Sequence, residues 1–200
     1  MDGREGAMMQ RGRKMAFICF LTALLLSLPR YSVCAEGGYC IRGTVITHKS
    51  APAGGNGNCW VYANEIYFLL WGRQFSNSFS DSRNMLRGLS DAQRAITADH
   101  THRFIGEAPP GAVIRIANAP STDSTFDDDH AAYSGHDYYL DSSQPKYAHS
   151  MILVNKTDQG FTVFHSSGGF SEERSFTWAS FADAYAEKYV YFKYICWEGG

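Results

Sequence analysis

The 200-residue chain predicts an α+β fold, with a helix laid on an antiparallel sheet. Three observations carry that prediction. Over 59–71, CWVYANEIYFLLW, apolar side chains recur at helical spacing: Cys59, Tyr62, Ala63, Ile66, Leu69 and Leu70 share one face. AHSMILV (148–154) and GFTVFHS (160–166) alternate as strands, and the NKTDQ between them is a hairpin signal. Thr177 is a cap residue opening TWASFADAYAEKY, whose Trp178, Phe181, Ala182, Tyr185 and Tyr189 form one stripe before the strand VYFKYIC (190–196). A helix followed mostly by strands, without an internal repeat, is the α+β order.

The first 35 residues stand apart. Arg11, Arg13 and Lys14 precede the 14-residue apolar run MAFICFLTALLLSL, and Val33-Cys34-Ala35 is a small-residue cleavage site. That pattern is a secretory signal, and the run is short of the ~20 residues a membrane span needs. The domains expected are therefore a signal over 1–35 and one folded domain over 36–200, secreted or periplasmic and without a membrane segment thereafter. Without the signal, Lys and Arg fall from 18 to 13 and Asp and Glu from 20 to 18, a net charge of −5. An acidic surface argues against nucleic acid as a partner. A monomer is expected.

The remaining elements follow in order. YCIRGTVIT (39–47) reads as one β-branched strand, and SAPAGGNGN (50–58) as a loop. Asn58 is placed to cap the helix over 59–71, and Gly72 to end it. A second helix is expected over 90–104, capped by Ser90 or Asp91, and APPGAVIRIAN (108–118) is a turn followed by a strand. Residues 119–147 are polar and aromatic with no clean period, the character of a binding loop or an insert.

Cysteine carries the chemistry. Cys40, Cys59 and Cys196 remain after the signal, an odd number for an oxidising compartment. Cys40 and Cys196 lie near the two ends, where a bridge would tie the termini and leave Cys59 as the thiol. Other pairings of the three stay open. A thiol at a helix N-terminus meets unpaired backbone N–H groups and the positive end of the helix dipole, which favour the thiolate. The competing reading is a small buried hydrophobe or a disulfide partner. Histidine weighs against that reading, because a thiol nucleophile needs a base and the base needs an orienting group. If 154 pairs with 160, His149 falls directly opposite His165, and of the seven histidines only His165 is placed to orient His149. A slip of one residue would put Ser166 there instead.

These features resemble the papain-like amidases of the CHAP and NlpC type. Asn58-Cys59-Trp60-Val61-Tyr62-Ala63 is similar to the family's motif around its cysteine, APPGAVIRI to its strand after a Pro-Gly turn, and His149-Ser150 to the opening of its hairpin. TWASFADAYAEKYVYFKYI resembles the closing helix and strand of secreted bacterial members, so the likeness spans nearly all of 36–200. It implies a papain-like fold with the nucleophile helix packed on the sheet. It also implies Cys59 as nucleophile, His149 as general base and acid, and His165 as the third, polar residue. The sequence departs from the family pattern at Asn58, where glutamine or aspartate is usual, and in lacking the Glu-x-Asn of the CHAP branch after HSSGG. The activity implied is cysteine amidase or endopeptidase chemistry through a thioester, with cell-wall peptide as one substrate. The backbone N–H of Cys59 would hold the oxyanion, with Asn58 or Asn56 as side-chain donors. Trp60 and Tyr147 are candidates for lining a substrate groove, although packing is the simpler role for Trp60.

No cofactor or metal is expected. Asp99-His100-Thr101-His102 and Asp127-Asp128-Asp129-His130 each lack a matched second half. Transfer to an amine instead of water would use the same residues. The alternative from another class is a secreted binding module, an inactive relative in which Cys59 is structural.

Overall fold

The computed structural model describes residues 37–52, 59–75, 82–118, 138–139, 145–146 and 148–199. The chain divides into the units Met1–Ser32, which lies outside the described residues, and Val33–Gly200. The second unit is a mixed α+β domain. Its elements run β1 (Tyr39–Ile41), β2 (Thr44–Ile46), α1 (Cys59–Trp71), a 3-10 turn (Ala92–Arg94), α2 (Ala98–Glu107), β3 (Val113–Ala117), β4 (Tyr138–Tyr139), β5 (Pro145–Lys146), β6 (Ala148–Thr157), β7 (Gly160–Ser167), β8 (Phe170–Thr177), α3 (Trp178–Tyr189) and β9 (Tyr191–Cys196). Five strands form an antiparallel sheet in the order β8-β7-β6-β3-β9.

Both faces of that sheet are covered, so its central strands are buried almost continuously rather than alternately. Ile152, Val154, Phe164, Val113 and Tyr194 pack against Tyr62, Ile66, Tyr67 and Leu70 of α1. On the other face Met151, Leu153, Phe161, Val163 and Phe192 meet Phe104 and Ile105 of α2 and Phe181 and Tyr185 of α3. Thr177 caps α3 as expected, in a reciprocal box with Ser180. Gly72 ends α1 at φ +72°, its N–H donating to Phe68 O at 2.8 Å.

Several expectations need correction. The single strand over 39–47 is a tight hairpin, because Arg42 and Gly43 take positive φ (54° and 80°) and turn the chain back. The helix over 90–104 is replaced by the 3-10 turn and a separate α2. Thr97 is extended and accepts from His100 N, so the cap lies at 97 rather than at Ser90 or Asp91. Leu69 is 48% exposed, and Tyr67 takes its place in the buried stripe. β8 was not expected at all. It is a wet edge strand, FSEERSFT, with no apolar alternation, entered through Gly168 and Gly169 at φ 59° and 85°. Two short paired strands, β4 and β5, lie within the stretch that shows no period.

The β6–β7 register also differs from the expected one. Only Asp158 and Gln159 form the turn, and Gly160 pairs with Thr157. A Cβ on Gly160 would run into Phe176 O of β8, so this close approach selects glycine. An irregularity between Leu153 and Asn155 then brings His165 opposite Met151, not His149. The displacement is two residues, so both histidines keep the same face.

Candidate active site

Cys59 begins α1 and is 3% exposed. Its Sγ accepts from the Ser150 N–H at 3.3 Å and lies 4.0 Å from Ala148 O, so the sulfur touches the backbone on either side of His149. The ring of His149 lies against Tyr185 and Tyr189 of α3, with centroids 6.1 and 6.0 Å away. Its Nε2 lies 3.1 Å from Nδ1 of His165, the rings set edge to face at 84°. The structure therefore brings His149 and His165 together, and sets Cys59 beside the His149 backbone without a hydrogen bond between sulfur and imidazole. The diagonal placement across the strands is within reach of two imidazoles.

Two further residues, absent from the sequence reading, complete the arrangement. Glu172 stands opposite His165 on β8, with Oε1 2.9 Å from His165 Nε2, although the ring N–H is not aligned on that oxygen. Arg115, 1% exposed, projects toward the α1 face and donates from Nη1 to Ser150 Oγ at 2.6 Å. The clue to Glu172 was the Gly-Gly pair that turns β7 into β8. Arg115 sat in view as the one charge inside the apolar run AVIRIA.

Opposing forces set the protonation states. Burial pushes the Cys59 thiol up, while the Arg115 charge and the N–H groups of Ser150, Cys59 and Trp60 work the other way. Burial, then His165 and the cations Arg115, Lys188 and Arg174, hold His149 well below 6.5. His165 is also lowered, chiefly by burial, with Glu172 opposing. The resting pair is thus a neutral thiol beside a neutral imidazole, not an ion pair.

This has a consequence for stability. A histidine with a depressed folded pKa contributes stability that is present above its unfolded value of 6.5 and is lost as pH falls toward the folded value. Stability against urea is expected to fall below pH 6.5 by up to about 1.4 kcal/mol per pH unit for each buried histidine. The double variant His149→Gln, His165→Gln should flatten that slope, and an unchanged slope would place the acid sensitivity elsewhere.

Other expected site residues fare differently. Trp60 is half-buried and packs edge to face on Phe75 at 5.8 Å, a packing role. Asn56, Asn58 and Tyr147 lie outside the described residues. The bridge between Cys40 and Cys196 is not made. Cys40 sits in β1, which lies over β6, whereas Cys196 closes β9 at the far edge of the sheet and is buried beneath α1. Of the weaker motifs, His100 is taken up by Ala95 O and His102 packs on Trp178, and residues 127–130 lie outside the described residues. Among the described residues, no helix is long and apolar enough to cross a membrane.

No family model, curated protein or solved structure matches this chain.

Proposed function

We propose that this chain is an exported cysteine amidohydrolase or endopeptidase with a papain-like arrangement, residues 1–35 acting as its secretory signal. The observation that supports it most is the chain of contacts from Cys59 Sγ at the Ser150 N–H, through the adjacent His149, to His165 Nδ1 at 3.1 Å. A helix-terminal thiol, a base and an orienting group are the parts that acyl transfer requires. Hydrogen bonds to the reacting proton are often incomplete before substrate binds.

In this reading the Sγ–H proton passes to His149 Nδ1 as sulfur bonds to the carbonyl carbon of an amide. The backbone N–H groups at the start of α1 hold the oxyanion. The C–N bond then breaks, the leaving amine takes the proton from His149, and a thioester remains on Cys59. Water, giving a proton to His149, attacks the thioester carbon. The acid departs and the proton returns to sulfur. Export makes peptide outside the cell the substrate class, wall peptides among them.

A second reading, an inactive binding module with a structural Cys59, is favoured by the burial of that sulfur. One comparison separates the two. Purified 36–200 is expected to cleave members of a pool of short wall-type and unmodified peptides, and Cys59→Ala to cleave none. Equal cleavage by both proteins, or none by either, would favour the module.

A further inference from the structure

We propose that Glu172 is a positioning residue that acts through His165 to decide which nitrogen of His149 carries the proton. The inference rests on His149 being the base, as above. Its geometry is a relay across three strands: Glu172 Oε1 is 2.9 Å from His165 Nε2, and His165 Nδ1 is 3.1 Å from His149 Nε2.

The chemistry follows from counting protons. A neutral imidazole has one N–H and one lone pair. The carboxylate of Glu172 has no proton to give and favours a proton on the nitrogen facing it. His165 therefore carries its proton on Nε2 and presents a lone pair at Nδ1. The 3.1 Å contact can then run in only one direction, from the N–H of His149 Nε2 to His165 Nδ1. That leaves His149 Nδ1 as the lone pair, and it has no hydrogen-bond partner among the described residues. It is the nitrogen available to take a proton from a thiol. With Glu172 removed, the relay can run in either direction. In the reversed form His149 Nδ1 carries the proton and the base is blocked.

The neighbours of the relay fit this role. Glu172, Arg174 and Phe176 alternate onto one face of β8, and Arg174 lies over the rings of Phe176 and Tyr185 at 5.0 and 6.0 Å. Among the described residues, Glu172 is thus the negative group that acts on a pair of histidines whose other charged neighbours, Arg115, Arg174 and Lys188, are positive.

The test reads the tautomer directly. Long-range nitrogen–proton correlation spectra of labelled 36–200 at about pH 7.5 should show His149 protonated on Nε2, with Nδ1 bare. Glu172→Met should give a mixture of the two tautomers and slow acylation of Cys59 by an activated ester about tenfold. Glu172→Gln, which keeps an acceptor oxygen, should restore most of both. An unchanged His149 tautomer in a folded Glu172→Met would overturn the proposal, as would a His149 that carries its proton on Nδ1 in the unaltered protein. Failure of the hydrolase reading looks different. Cys59 would then not acylate in any variant, while the spectra would still decide the role of Glu172.

Discussion

Replacing His149 by alanine is expected to slow acylation of Cys59 by p-nitrophenyl acetate at about pH 7 by roughly 10²–10⁴, the contribution of a positioned general base. The expectation follows from the resting state of the pair. Burial keeps the thiol protonated through neutral pH, so the sulfur depends on a neighbouring base to become a nucleophile. His149 is held neutral to well below 6.5, so the base is ready over the whole neutral range. The unaltered protein should react at a near-constant rate down to pH 6.5 and lose reactivity only as the imidazole takes up its proton. In His149→Ala the rate should rise with pH until the thiol ionises unaided. Release of nitrophenol, together with the mass of the acetylated peptide carrying Cys59, measures both. A variant within a few-fold of the parent would remove His149 from the chemistry.

The largest effect on stability is expected at Phe181. Its ring is fully buried where α3 meets the sheet, with Phe161, Phe176 and Tyr185 at 5.3, 5.3 and 4.8 Å and Phe192 stacked at 5.9 Å. Truncation to alanine removes the ring and leaves a cavity among rigid neighbours, which typically costs about 3–5 kcal/mol. The site should suffer too, because Tyr185 packs on both Phe181 and the ring of His149. Urea unfolding of Phe181→Ala, with an unchanged denaturant slope, checks the first effect, and the acylation rate checks the second. A loss under 1 kcal/mol would mean that the cluster collapses to fill the space.

The parts legible in sequence were those whose signal is local. Thr177 and Ser180 mark the start of α3, and the period of 59–71 marks α1, because caps and amphipathic faces are written within one or two turns. Cys59, His149 and His165 were legible as residue types in plausible positions. Their geometry was not. A two-residue displacement in the β6–β7 pairing turns a direct partnership into a diagonal one, and an irregularity at Val154 cannot be counted from the hairpin alone. β8 escaped because a largely exposed edge strand, with Phe176 as its one buried side chain, has no alternation to read, and Glu172 was lost with it. The neutral state of the pair was also out of reach, since it depends on burial from both faces of the sheet. The cap of α2 moved to Thr97 for a simpler reason. A good cap at Ser90 or Asp91 predicts a start only when no better one follows.

The proposed chemistry requires that His149 set the reactivity of Cys59. The most direct measurement is the rate of iodoacetamide labelling of Cys59, mapped by mass, from about pH 5 to about pH 9 in the unaltered protein and in His149→Ala. The half-buried thiol Cys40 serves as an internal reference. The labelling rate should hold nearly level down to pH 6.5 in the unaltered protein and fall about tenfold per pH unit over the same range in His149→Ala. Coincident profiles, both following the ionisation of an unassisted thiol, would contradict it and leave Cys59 as part of the core.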